Sequence, residues 1–292
     1  MGIKLSYSAA QKYLLSPFSY FAHYFLRLRP TQQSSALAFG AALDSAFNSL
    51  LMDKKDGITV QLSLANRIFT NEWNKVDLDK IKFSKADLDE NILTEDDLTI
   101  TGPARTWRSL LRKGHLLIEE YYNQVLPKLE KVLLVQHTIN MTNKDGDAFT
   151  GIVDLVAQID GKIYLCDNKS SSTTYKADSA DTSEQLSTYY EALKDNYNLA
   201  GVAYIIIPKA LRKKKKPVVD IKIIFGQAHE ELIAKTFNDY DKVLHGIKTA
   251  QFPCTPEKCL KSPFGCVYKD FCASQGKNLT GLEYVEKRNE KK

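Results

Sequence analysis

Apolar residues recur along this chain first at helical spacing, then in alternation, then again at helical spacing, and the switches between the two periods predict most of its elements. The stretch from Ser6 to Leu28 is rich in aromatics (Tyr7, Tyr13, Phe18, Tyr20, Phe21, Tyr24, Phe25) and is broken at Ser16-Pro17. This predicts two short helices, the second with Ser16 as N-cap and Pro17 in its first turn. From Ala36 to Met52, the spacing of Phe39, Leu43, Phe47, Leu50 and Leu51 predicts an amphipathic helix with one buried stripe. Residues 57–100 are polar, acidic and weakly periodic, as expected of a variable insertion carrying one or two short helices and no evident chemistry. A clearer helix is predicted from Pro103 to Tyr122.

Alternation then takes over. Val132–Ile139, Thr150–Ile159 and Lys162–Asp167 read as an antiparallel meander of strands joined at Asp-Gly turns. Asp181 and Thr182 are placed to cap a helix running to about Asn196, with Leu186, Tyr190, Leu193 and Tyr197 at core spacing. Val202–Ile207 and Val218–Phe225 follow as strands, and a helix from Ala228 to Ile247 precedes a cysteine-rich tail.

Composition narrows the class. Of 292 residues, 43% are hydrophobic and 26% charged, the balance of a folded globular chain. No apolar run approaches the ~18 residues of a membrane span, and no basic segment leads into an apolar one at the N-terminus, so a cytoplasmic location without membrane contact is expected. The formal charge of +5 permits a polyanionic partner without demanding one. Its distribution is uneven: positions 77–97 hold eight acids and three lysines, while Arg105, Arg108, Arg112, Lys113 and the run Lys213, Lys214, Lys215, Lys216 offer basic patches for phosphate contact.

In the strand ending at Asp167, side chains alternate between faces, so Asp167 and Lys169 project together if the strand continues. Across the Asp160-Gly161 turn, Asp154 can join them. Each feature alone is a common surface motif. Asp154, however, is bracketed by Ile152, Val153, Leu155 and Val156, where an unpartnered carboxylate would be costly without a cation beside it. Two carboxylates and an ammonium suit phosphodiester hydrolysis, because the acids can hold Mg²⁺ with open positions for water and substrate.

Gly151-Ile152-Val153-Asp154, Asp167-Asn168-Lys169-Ser170-Ser171 and Gln185-Leu186-Ser187-Thr188-Tyr189, in this order, resemble the RecB-like branch of the PD-(D/E)XK nucleases, which includes phage and CRISPR-associated exonucleases. The resemblance implies an α/β, restriction-endonuclease-like core with a mixed central sheet flanked by helices, a helical N-terminal region and a cysteine-rich C-terminal tail. It further implies that Asp154, Asp167 and the backbone carbonyl of Asn168 bind Mg²⁺ or Mn²⁺, that Lys169 serves the attacking water, and that Gln185 and Tyr189 lie beside the active site. Ser170 and Ser171 would then face DNA. Gln185 has a second reading, as partner of Thr182 in a capping box. Asp44 stands where the family usually has a histidine metal ligand; it can be an oxygen ligand or a helix-surface acid.

Cys254, Cys259, Cys266 and Cys272 resemble the C-terminal cysteine motif that holds a four-iron, four-sulfur cluster in the same nucleases, although Ser16 replaces the N-terminal cysteine of that set. Zinc suits four thiolates equally, and no metal at all is the third possibility. The expected organisation is a nuclease domain over residues 1–250 with the insertion at about 57–100, and a tail over 251–292 packed on it. The expected function is metal-dependent DNA hydrolysis through backbone contacts, as an exonuclease. A catalytically silent DNA-binding or assembly protein of the same fold, or an RNA-directed nuclease, are the alternatives. The resemblance allows a helicase or recombination partner and a phage origin with action in the host cytoplasm; repair, recombination and oligomeric state are not written in the sequence.

Overall fold

Where the aromatics of the N-terminal stretch meet Ser6 and Ser16, two caps set the local structure. The computed structural model describes residues 2–97, 99–209, 219–254 and 266–286. Its first elements are β1 (Lys4–Leu5), α1 (Tyr7–Leu15) and α2 (Pro17–Tyr20). Ser6 Oγ accepts from the Ala9 N–H at 3.2 Å, and Ser16 Oγ accepts from the Ser19 N–H at 3.2 Å, so the predicted cap at Ser16 with Pro17 behind it is realised. A π-helical turn over Phe21–Phe25 and β2 (Leu28–Pro30) follow.

The chain divides into two units. The smaller comprises Met1–Gln32, Asn140–Gly151 and Ala234–Lys292, so the C-terminal segment falls in one unit with the N-terminal helices. The larger comprises Gln33–Ile139 and Ile152–Ile233.

The larger unit begins with β3 (Gln33–Ser34) and α3 (Ser35–Lys55), whose Phe39, Leu43, Phe47, Leu50 and Leu51 are buried as the periodicity predicts. By length and composition α3 could cross a membrane, but half of its most apolar stretch is buried within the protein. The insertion is more ordered than its weak periodicity predicts. It holds α4 (Leu62–Asn74), a 13-residue helix, and β4 (Ile81–Lys82), which pairs in parallel with β3. The stripe Ala65, Phe69 and Trp73 was legible in retrospect; it was swamped by the acids that follow. On α5 (Gly102–Gln124), Gly114 lies flush against the Phe69 ring, where a Cβ would collide with it.

The basic patch expected on α5 is not free. Arg105 pairs with Glu90 at 3.1 Å, and Asp97 takes both Arg108, at 3.5 Å, and Arg112. Opposite charges brought together by the insertion neutralise each other, and Asp97, buried, is held down to about pKa 2 by the Arg112 hydrogen bond.

The sheet of this unit follows the predicted meander and extends it: β5 (Lys131–Thr142), β6 (Ala148–Ile159), β7 (Lys162–Ser171), then, after α6 (Glu184–Leu193), β8 (Leu199–Pro208) and β9 (Lys222–Gly226). The order is β5-β6-β7-β8-β9. β6 and β7 run antiparallel, β7 and β8 parallel, β8 and β9 antiparallel, which makes the sheet mixed. The parallel step requires a crossover, and α6 supplies it while packing on β7 and β8. Helices flank this sheet, as expected.

In the smaller unit β1 pairs in parallel with the first residues of β6, Lys4 opposite Ala148 and Leu5 opposite Phe149. Its C-terminal elements are α7 (Glu230–Lys248), of which the first residues belong to the larger unit, α8 (Lys269–Ala273) and β10 (Leu282–Tyr284), which pairs with β2. Ala22, Leu28, Tyr268 and Phe271 form a local core. Cys254 and Cys272 form a disulfide, and Cys266 Sγ lies 3.1 Å from Ser19 Oγ. This corrects the expected four-thiolate site: sulfurs joined to each other are not thiolate ligands, and an iron-sulfur or zinc site finds no support. Cys259 and the run Lys213–Lys216 lie outside the described residues.

Candidate active site

Alternation along β7 places Asp167 and Lys169 on one face, and the antiparallel register that ends at Leu155 opposite Cys166 carries Asp154 toward them. Asp154 Oδ2 accepts the backbone N–H of Asn168 at 3.2 Å. Asp154 therefore sits beside the pair rather than across the sheet from it. Its Oδ1 accepts from Gln136 Nε2 at 3.2 Å. Asp167 is buried, and its Oδ2 lies 2.6 Å from Lys169 Nζ. Lys169 also donates to Gln185 Oε1 at 3.2 Å and stands 5.8 Å from the centre of the Tyr204 ring.

Gln185 thus bonds Lys169 and does not cap the helix. The helix is capped one position later than predicted, by Ser183, whose Oγ accepts from the Leu186 N–H at 3.1 Å and lies 2.6 Å from Tyr204 Oη. Gln185 Nε2 reaches Tyr189 Oη at 3.5 Å, which brings the predicted Gln-x-x-x-Tyr pair to one face of α6. Asn168 is fixed from below by Tyr121, which donates to its Oδ1 at 3.1 Å and stacks on Phe47 of α3 at 4.2 Å. The hydrophobic core of α3 and α5 therefore runs directly into the floor of the site.

Asp44 of α3 completes the group. Burial and the Asp154 charge push its carboxyl up to about pKa 6, with Lys169 and Lys209 acting the other way. Burial raises Asp154 as well. Asp167 is pushed up to about 7, by burial first, with Lys169 opposing and the charges of Asp154 and Asp44 adding. Burial would lower the Lys169 ammonium, but the Asp167 charge and hydrogen bond more than reverse this and hold it protonated. Three carboxylates thus repel one another around a single lysine.

Ser170 faces Gly40 of α3, while the Ser171 hydroxyl is spent on the following turn, 2.9 Å from Thr173 Oγ1. Sequence reasoning missed Gln136, Tyr121 and Lys209. Only the folded chain marks Gln136: buried positions in β5 fall at Val132, Val135 and Ile139, out of step with alternation, and Gln136 itself adopts φ of 48°. A left-handed residue inside a strand re-aims its side chain, as a bulge does.

The sequence profile of the PD-(D/E)XK nuclease superfamily matches residues 4–273. The chain belongs to that superfamily. Among solved structures, a protein from Eubacterium rectale named as a candidate exonuclease is 12% identical, covers 85% of this chain and 82% of its own, and superposes with a TM-score of 0.46. No curated protein sequence matches the chain.

A nuclease of this superfamily commonly uses a divalent cation, and the residues here fit one. Among the described residues no three His, Cys, Asp or Glu side chains already enclose a single point as ligands, since Asp167 is turned to Lys169 and Asp154 to Asn168 and Gln136. Yet the donors are carboxylate oxygens, the set preferred by Mg²⁺ and Mn²⁺, and their negative charge exceeds what one lysine balances.

Proposed function

We propose that this protein is a Mg²⁺- or Mn²⁺-dependent deoxyribonuclease, acting as an exonuclease through contacts to the DNA backbone. The observation that carries the reading is the convergence of Asp44, Asp154 and Asp167 around Lys169 in a chain of the PD-(D/E)XK superfamily. Asp154, Asp167 and the Asn168 carbonyl would hold the cation, with Asp44 as a further oxygen ligand in place of the usual histidine. A cation held there would polarise a phosphoryl oxygen and lower the pKa of a bound water.

The chain's own residues do the rest. Lys169 is kept charged by Asp167, so it serves as a fixed cation that orients the attacking water and offsets charge developing on the phosphate, not as a proton acceptor. Gln185 holds that ammonium from the other direction, and Tyr189 holds Gln185. Gln136 and the Asn168 N–H set the orientation of Asp154.

The test is digestion of linear and covalently closed DNA with Mg²⁺, Mn²⁺ or EDTA, comparing wild type with Lys169→Ala. Linear DNA should be degraded in Mg²⁺ or Mn²⁺ only, and Lys169→Ala should lose about 10²–10³-fold in rate. Cutting of closed circles would replace the exonuclease reading with an endonuclease one. If both proteins bind DNA equally and neither cuts with any metal, the chain is a DNA-binding member of its superfamily; preferential cutting of RNA in parallel reactions would reassign the substrate.

A further inference from the structure

The face of β7 that turns away from Asp167 and Lys169 carries a polar side chain into an apolar core. Alternation puts Cys166 and Asn168 together on that face, and the parallel register sets Asn168 beside Ile205 of β8. Cys166, Ala203, Ile205 and Ile207 are buried in one cluster with residues of α3 and α5, and Asn168 is buried as well. An amide placed there needs a partner.

Tyr121, in the last turn of α5 and fully buried, supplies it. Its hydroxyl donates to Asn168 Oδ1 at 3.1 Å, and its ring stacks on Phe47 with 4.2 Å between centres and 21° between planes. Phe47 follows Asp44 by three residues on α3, close to one helical turn. A single side chain thus braces, from the core side, the helix that carries Asp44 and the strand that carries Asp167. Burial raises the Tyr121 hydroxyl above its ordinary range; Cys166 adds to this, the Asn168 bond opposes it, and the charges of Asp154 and Asp44 add again, so the phenol keeps its proton and remains a donor. A buried phenol and amide bonded to each other stabilise a core little more than two apolar groups of the same shape, whereas either one left alone is costly. Packing therefore does not account for the pair. What the pair fixes is the backbone of residue 168, whose N–H donates to Asp154 Oδ2 at 3.2 Å on the other side. Tied at its side chain to Tyr121 and at its amide to Asp154, this residue cannot turn without breaking one of the two bonds.

We infer that Tyr121 is a positioning residue for the cation site: through the Asn168 amide and the Phe47 ring it holds the residue 168 carbonyl and Asp44 in place relative to each other. The inference rests on the nuclease reading for the cation itself, and it extends the site into the core between α3, α5 and β7. Tyr121 touches neither cation nor substrate. Its contribution is to the affinity with which the oxygens around Lys169 hold a divalent ion, because ligands whose supports are removed lose their orientation.

Replacing the pair one end at a time and then together separates positioning from packing. Tyr121→Phe keeps the ring on Phe47 and removes the donor; Asn168→Leu keeps the strand and removes the acceptor; the double variant leaves neither group stranded. Each single change should lower the melting temperature by about 2–10 °C, and the double change should return most of that loss. Mn²⁺ binding, read without DNA from the electron paramagnetic resonance signal of the free ion, should weaken about 10–100-fold in Tyr121→Phe and stay weakened in the double variant, although stability has recovered. If a single variant does not fold, the double variant decides alone. Mn²⁺ affinity that returns together with stability makes the pair a packing contact and overturns the inference, as does wild-type affinity in Tyr121→Phe. A wild-type protein that binds no Mn²⁺ removes the cation and the inference with it. If the wild type binds Mn²⁺ and the variants lose it as stated, yet no DNA is cut, the inference stands and the nuclease reading falls.

Discussion

At the scale of single residues, the three carboxylates define how the protein should respond to pH. Asp44, near 6, and Asp167, near 7, are raised above their ordinary value of 3.8, and Asp154 is raised with them. A carboxyl raised by folding contributes stability that is complete below about pH 4 and is lost as pH climbs through its folded value. In EDTA, therefore, this set of groups lowers the melting temperature between pH 5 and pH 8, and Asp167→Asn should flatten that slope. Mg²⁺ should raise the melting temperature more at pH 8 than at pH 5.5, where protons compete for the same oxygens; an equal rise at both would separate the cation from these acids. Asp154, Asp167 and Lys169 were legible in the sequence because alternation along two strands joined by a tight turn fixes which side chains can meet. Lys209 and Tyr121 were not, because nothing local ties a residue at the end of β8 or in the last turn of α5 to that face.

At the scale of elements, a helix cap and a left-handed strand residue position the side chains of the site. Ser183 holds the start of α6 and touches Tyr204, which lies under Lys169, so Ser183→Ala should cost about 1–2 kcal/mol in chemical denaturation. Thr182→Ala should cost less than about 0.5 kcal/mol, since its hydroxyl only bonds the exposed Asp178 carbonyl. The sequence offers Asp181, Thr182 and Ser183 in succession, any of which can cap, and only backbone geometry decides among them. In β5, Gln136 pays for its position with a left-handed backbone. Gln136→Gly should relieve about 1 kcal/mol of backbone strain while slowing the proposed DNA cutting, because Asp154 loses a donor. A variant less stable and equally active would show that Gln136 has no part in orienting Asp154.

At the scale of the whole molecule, the acidic insertion binds its own counter-ions. Asp97 is held at about 2 by Arg112, so its contribution is present above about pH 4 and disappears as pH falls toward 2. The stability difference between wild type and Asp97→Asn, measured by urea titration, should accordingly shrink over that interval. Such pairings between positions 90–97 and 105–112 were invisible in the charge pattern, which separates the acids from the bases into apparent patches. The meander and the principal helices were legible, since period and turn chemistry are local; the parallel pairing of β7 with β8 and the partition into two units depend on contacts between distant segments and were not. The Cys254–Cys272 link likewise joined two of four candidate ligands in a way that spacing alone left open.

The bond from the Asn168 amide to Asp154 Oδ2 has a practical consequence. An asparagine at 154 keeps an oxygen able to receive that amide, so the edge where the two strands meet stays sealed while one negative charge disappears. If the proposed nuclease function holds, Asp154→Asn is thus the substitution of choice for capturing the protein on uncut nucleic acid, folded as in the native chain.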